Sequence, residues 1–316
     1  MKTITKLIKK PRTLQRLTGL NLKQFKKLCK LMKPVWKKTE KNRLLLVNRR
    51  RKVGAGRRYY LETIEEKLAL ILAYYRTYAT QELISYIFGI DQSNVSRLIE
   101  KLEPLLEMAA NPQLKGQLNR LKQMRSLRGS IGWIEFIELY PDAAGFITDA
   151  TEARCQRPKD KEEQRKYYSG KKKAHTIKTQ ITVSRNTERV LDVSQSYAGS
   201  IHDKKVFDIE KTIERICKET PHWIDLGYQG VQHDYPDHYN ILPIKRKKGK
   251  ELSTLAKESN KAHSKRRILV EHIFSRLKKF GILAQIYRGK KGQFNQAFRN
   301  IVAIHNFKIE EMRTIS

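Results

Sequence analysis

Cysteine is scarce in this chain: Cys29, Cys155 and Cys217 are the three in 316 residues. None stands in CxxC spacing, which excludes a disulfide framework and a zinc knuckle and points to reduced thiols. Long apolar runs are missing too. No segment approaches the ~18 uninterrupted apolar residues of a membrane-spanning helix, and no signal-peptide hydrophobic core follows Lys9 and Lys10, so a soluble, cytosolic or nucleoid-bound protein is expected. Internal repeats and low-complexity tracts are absent, which excludes a solenoid. Acid is the last shortage: 32 Asp+Glu face 66 Lys+Arg, leaving a net charge of +34. An excess of that size calls for a polyanionic partner, nucleic acid first and an anionic membrane surface second.

The charge is unevenly spread. Residues 1–60 hold 21 Lys+Arg and one acid, Glu40, and read as a basic N-terminal arm. Within it Leu22, Phe25, Leu28, Leu31 and Met32 keep a helical period. Arg49, Arg50, Arg51, Arg57 and Arg58, spaced by Gly54 and Gly56, read as a flexible basic linker suited to the DNA backbone. From Leu61 to Met108 the balance reverses, to four Lys/Arg against eight acids, and three helical patterns follow. Thr80 caps a short helix, Gly89 supplies a turn and Asp91 caps a further helix, the sequence form of a helix-turn-helix over residues 61–110. The expected buried positions are Leu83, Ile87, Ile90, Val95 and Leu98. Gln92, Ser93, Asn94, Ser96 and Arg97 then face outward at the start of the second helix, where Gln and Asn suit adenine and Arg suits guanine. An ordinary three-helix bundle, its acids serving dimer contacts, is the rival reading. Residues 111–132 read as a connecting helix and 133–316 as a second domain.

That second domain alternates strand and helix patterns. Gly145–Asp149 reads as a short strand ending on an acid. Two longer strands follow over 174–183 and 189–197, then an amphipathic helix over 203–217. His222–Asp225 is another short strand ending on an acid, 240–244 a last strand, and a long helix carries Ile268, Leu269, Ile273, Phe274 and Leu277 with Glu271 among them. The fold class expected is therefore multidomain, helical then α/β with a mixed sheet. Side chains at strand ends project beyond the packed sheet edge, so Asp149 and Asp225 can meet there, with Glu271 brought in from the helix. Three gathered acids stay ionised only beside cations, and a pair of Mg²⁺ ions roughly 3.5–4 Å apart would neutralise them and act on a phosphodiester. Taken singly, Asp149 reads equally as a helix cap, Asp225 as the holder of the turn at Gly227, and Glu271 as a partner of Arg267 or Ser275. Asp203 reads as the N-cap of its helix and His175 as packing. Trp133, Trp223 and Phe274 read as core, while Lys171, Lys172, Lys173, Lys245–Lys250 and Lys265–Arg267 read as phosphate contacts.

Five runs in order carry a resemblance: 147–152 (ITDATE), 168–178 (YSGKKKAHTIK), 199–204 (GSIHDK), 225–230 (DLGYQG) and 270–278 (VEHIFSRLK). Together they resemble the DDE transposases of prokaryotic insertion sequences related to the Harbinger elements, over about Leu61 to the C-terminus. The resemblance implies a ribonuclease H-like catalytic domain in which Asp149, Asp225 and Glu271 hold two Mg²⁺ ions, Mn²⁺ substituting. It implies cleavage of element ends at their terminal inverted repeats and joining of the 3′-hydroxyls to target double-stranded DNA by a homodimer, with Lys278, seven residues after Glu271, touching DNA at the cleavage site. The alternatives are a catalytically silent DNA-binding regulator derived from such an enzyme, and a basic RNA-associated structural protein.

Overall fold

Helix signals in the N-terminal third are strong and local. The side chain of Thr63 accepts from the Glu66 amide while the Glu66 side chain accepts from the Thr63 amide, a reciprocal cap. Thr80 likewise accepts from the Leu83 amide (3.2 Å), and Gly89 closes its helix at φ 67°, in the left-handed region that glycine enters without strain. The computed structural model describes residues 3–45, 60–114 and 116–313. Arg49, Arg50, Arg51, Arg57 and Arg58 lie outside the described residues.

Two units divide the chain. The first takes in the residues up to Pro112, Lys278–Gln285 and everything from Gln296 onward; the second takes in Gln113–Leu277 and Ile286–Asn295. In the first, α1 (Thr3–Ile8), α2 (Pro11–Thr18), α3 (Leu22–Leu45), α4 (Ile64–Thr77), α5 (Gln81–Phe88) and α6 (Gln92–Ala110) form a helical body. Its interior holds Leu14, Leu20, Phe25, Leu28, Met32, Leu68, Leu72 and Tyr75, none with measurable exposure.

This revises the expected arm. Residues 3–45 fold into three helices, because Phe25, Leu28 and Met32 form an apolar stripe that must be covered while the lysines of α3 keep to the other side. The stripe of α5 is also rotated from expectation. Ile84, Ser85 and Phe88 are buried, whereas Leu83 and Ile87 are about half exposed. Gln81–Phe88 is apolar on nearly every side, so its periodicity could not select a face. In α6 Val95 and Ile99 are buried, while Leu98 is only partly covered.

The second unit opens with α7 (Gln117–Leu127) and α8 (Trp133–Leu139), followed by β1 (Phe146–Arg154), α9 (Lys161–Tyr167), β2 (Tyr168–Ser169), β3 (Ala174–Ser184) and β4 (Val190–Ala198). Then come α10 (Asp203–Ile209), β5 (His222–Trp223), α11 (Val231–Asp234), β6 (Asn240–Ile241) and α12 (Thr254–Leu277). β3 sits between β1 and β4, antiparallel to both, and β2 pairs with its first residues; β1 also pairs parallel with β5, and β5 parallel with β6. Leu118, Leu121 and Phe136 pack α7 and α8 against Phe146 and Leu191, and a second cluster joins Phe207, Ile213, Ile224, Tyr228 and Val231. The expected helix over 203–217 stops at Ile209, and Lys211 at φ 50° turns the chain into a short 3₁₀ segment.

The chain then returns to the helical body with α13 (Gly281–Ala284) and most of α14 (Phe294–Arg313). Asn300 of α14 donates to the Tyr75 hydroxyl (2.9 Å), and Arg299 grips both oxygens of Glu107 (2.6 and 3.0 Å). The expected domain of residues 133–316 is therefore not one stretch: 278–285 and the residues from 296 complete the N-terminal body, because their apolar side chains are buried there.

Candidate active site

The site forms where β5 runs out. β1 pairs with β5 only over Phe146 and Ile147, while its pairing with β3 continues to Arg154. Asp149 is thus in mid-strand rather than at a strand end, yet it lies just past the last residue paired with the short parallel strand. Asp225 follows that strand by two residues, so both carboxylates arise at the same end of the parallel pair, where open sheets expose functional groups.

Arg267 of α12, a helix packed on β1 and β5, joins them. Its Nη2 donates to Asp149 Oδ2 at 2.8 Å and lies 3.7 Å from Asp225 Oδ2. The other Asp149 oxygen accepts from the Ala150 amide (2.8 Å), and Asp225 Oδ1 from the Gly227 amide (2.7 Å). Gly227 is required by space: a Cβ there would stand 2.7 Å from Asp203 Oδ2 and 2.8 Å from Asp225 Oδ1.

Asp203 is accordingly a neighbour of Asp225 and no helix cap. It is the first residue of α10, its side chain caps nothing, and its Oδ1 accepts from the buried Lys178 (2.7 Å), which also donates to the Ile201 carbonyl. Lys178 lies 3.8 Å from Glu152 as well. An exclusively polar pairing across β1, β3 and α10 escaped the sequence reading, whose one available sign was a lysine within a strand otherwise buried on both faces.

Asp149 is incompletely compensated. Burial pushes the Asp149 carboxyl up to about 6; Arg267 opposes the rise, and Asp225 and Asp203 add to it. The fully buried Tyr228 hydroxyl is driven well above the ordinary phenol range by burial and by the same three acids, and among the described residues it has no hydrogen-bond partner. Arg267 Nε is buried and unpartnered in the same way. Beneath the site a rail of neutral hydrogen bonds crosses the sheet. The Thr182 and Thr148 hydroxyls meet at 2.8 Å, Thr148 meets His222 Nε2 at 2.8 Å, and His222 Nδ1 meets Asn240 at 3.0 Å. Burial lowers the His222 imidazole to about 4, so it is neutral.

Glu271, one turn after Arg267, is exposed and makes no hydrogen bond or ion pair among the described residues. Among those residues no three His, Cys, Asp or Glu side chains are gathered closely enough to hold a metal ion. Asp149 and Asp225 are together; the third acid of the expected set is not with them, and a guanidinium holds the pair instead. The physical reason is electrostatic, since two converging carboxylates draw in the nearest positive side chain. The residues nevertheless suit a hard divalent cation: every candidate donor is a carboxylate oxygen, and one monovalent guanidinium leaves Asp149 undercompensated.

The expected phosphate contacts are mostly exposed. Lys171, Lys172 and Lys173 crown the turn between β2 and β3, and Lys245–Lys250 project from the loop before α12. Lys278 lies one residue beyond the end of α12 and in the other unit. Trp223 and Phe274 are core as expected, and Trp133 is half-buried on α8; Ile268, expected inside, is 48% exposed. In the helical unit Gln92, Ser93, Asn94, Ser96 and Arg97 are all exposed at the start of α6, Gln92 bonded to Gln81 (2.6 Å) and Arg97 to Asn94 (3.4 Å).

Comparison with known proteins agrees with this layout. Residues 148–306 match the family of DDE superfamily endonucleases, and residues 60–112 match the helix-turn-helix of DDE superfamily endonucleases. A protein of Microchaete diplosiphon, named as transposase for insertion sequence element IS702, is 30% identical over 94% of this chain and 95% of its own length. One of Streptomyces albus G, named as transposase for insertion sequence element IS112, is 24% identical over 81% of this chain and 84% of its own. No solved structure matches. With an aspartate pair at the end of two parallel strands, a glutamate on the helix beside them and a helix-turn-helix ahead, the chain belongs to the DDE superfamily endonucleases, among the transposases of insertion sequences.

Proposed function

We propose that this protein binds the terminal inverted repeats of an insertion sequence, cuts them by metal-dependent phosphodiester hydrolysis and joins the freed 3′-hydroxyls to target DNA. The observation that carries the reading is the meeting of Asp149 and Asp225 where β5 ends, with the Asp149 carboxyl raised by burial and by its acidic neighbours. Asp149, Asp225 and Glu271 would hold Mg²⁺ or Mn²⁺, two ions per site. Such ions activate the attacking water or hydroxyl and steady the leaving oxygen. The chain's own residues do the rest. Arg267 and Lys171–Lys173 draw the phosphodiester in, Lys278 binds DNA, and the Gly227 amide fixes one oxygen of Asp225. The neutral His222 rail holds β1 and β5 in register beneath the acids. Gln92, Ser93, Asn94, Ser96 and Arg97 read the end sequence, and Arg49–Arg51, Arg57 and Arg58 grip the backbone.

The strand order β4-β3-β1-β5-β6, antiparallel then parallel, supports a ribonuclease H-like catalytic unit. Pairing two element ends requires two protomers, hence a homodimer on DNA, working in the prokaryotic cytoplasm at the nucleoid. The exposed Glu271 favours one rival, a silent DNA-binding regulator that keeps the fold. A labelled element end incubated with Mg²⁺, Ca²⁺ or no metal separates the two. Nicking by the wild type with Mg²⁺, lost in Asp225→Ala and in Glu271→Ala, is the expected result. Binding without nicking under every condition leaves the regulator.

A further inference from the structure

The geometry points to Arg267 as a tethered cation that latches the metal-free site: it holds Asp149 and Asp225 until a divalent ion displaces it. The inference rests on the proposed metal-binding role of those carboxylates.

Three observations carry it. First, one nitrogen, Nη2, serves both acids, 2.8 Å from Asp149 and 3.7 Å from Asp225, so the guanidinium occupies the position between them that an ion would take. Second, the fit is incomplete. Arg267 Nε is buried without a partner, which costs free energy that leaving the site recovers, and a planar fork offering a single nitrogen to two carboxylates wastes its bidentate geometry. Third, Arg267 stands on the same helix one turn before the exposed Glu271, four residues on and on the same face. Release of the arginine therefore vacates the pair on the side from which Glu271 can complete the donor set. A dication offers the acids twice the charge in a smaller body, and Glu271 supplies a third ligand that the latched form leaves in water. Arg267 is thus a positioning residue for the metal site. It keeps the carboxylates convergent when no ion is present, and it competes with the ion for them.

The test is Ca²⁺ binding by calorimetry to the full metal-depleted chain, which requires no catalysis, for wild type, Arg267→Gln, Arg267→Lys, Asp225→Asn and Glu271→Gln. A latch predicts binding at least tenfold tighter in Arg267→Gln, near wild type in Arg267→Lys, and strongly weakened in Asp225→Asn and Glu271→Gln. Equal affinity in wild type and Arg267→Gln, with loss in Asp225→Asn, overturns the latch while leaving the metal site intact. Failure of both wild type and Arg267→Gln to bind Ca²⁺ overturns the metal-site reading and the latch with it. Should Arg267→Gln not fold, the wild type alone decides through arginine side-chain NMR. The Arg267 guanidinium, assigned from Arg267→Lys, is expected to rotate slowly without metal and freely at saturating Ca²⁺. Unchanged rotation overturns the latch.

Discussion

Asp149 and His222 pull the acid stability of the second unit in opposite directions. Asp149 binds its proton up to about pH 6 in the folded state but only to about 3.8 when unfolded, so in that window stability falls as pH rises. His222 is neutral in the fold down to about pH 4 but titrates near 6.5 when unfolded. Its contribution is complete above 6.5 and is lost as pH falls toward 4, so in that window stability rises with pH. Between pH 4 and 6 the two slopes, each about 1.4 kcal/mol per pH unit at most, largely cancel. Asp149→Asn removes one of them. Denaturant titrations at half-unit intervals should show its stability climbing with pH between 4 and 6 more steeply than that of wild type, and parallel profiles would contradict the raised Asp149 carboxyl. A second expectation follows from the arginine. Displaced from the acids, the guanidinium is free to meet a phosphate, so Ca²⁺ and duplex DNA of the element end should each tighten the other's binding several-fold in wild type and by less in Arg267→Gln, as measured by DNA-binding isotherms with and without Ca²⁺.

Among the elements, α5 separates what residues announce from what packing decides. Its boundaries were legible, since Thr80 and Gly89 act locally and stand where a cap and a turn were expected, while Asp91 holds the N-cap position of α6 without a side-chain cap hydrogen bond. Its buried face was not, because Leu83, Ile84, Ile87 and Phe88 place apolar carbon almost all round a two-turn helix and only the neighbouring α4 and α6 choose among them. Ile84→Ala is therefore expected to cost about 2–4 kcal/mol, and Leu83→Gln less than about 0.5 kcal/mol, in urea melts followed by helical circular dichroism. The reverse order would restore the stripe read from sequence. The strands behaved in the opposite way. Asp149 and Asp225 were recognisable from the runs around them, whereas the full length of β1 was not, since its last five residues owe their strand form to β3 alone. The pairing of Lys178 with Asp203 escaped notice too: a buried ion pair between strand and helix leaves no period in the sequence.

Across the whole molecule, the runs from Leu61 onward disclosed the family, while the division of the chain could not be read in order along it. Basic residues before Leu61 suggested an arm because charge masks a one-third apolar stripe, and no local pattern says that α14 pairs with α4 and α6. Removal of residues 294–313 should expose Tyr75 and Glu107 and unfold the N-terminal helices. Limited proteolysis of the truncated chain is expected to cleave within residues 64–110, sites protected in the full chain.

That return of the chain governs the order of events at the ribosome. The N-terminal helices cannot finish packing until the polypeptide is nearly all out of the exit tunnel, so a prematurely terminated product lacks the residues that complete their body.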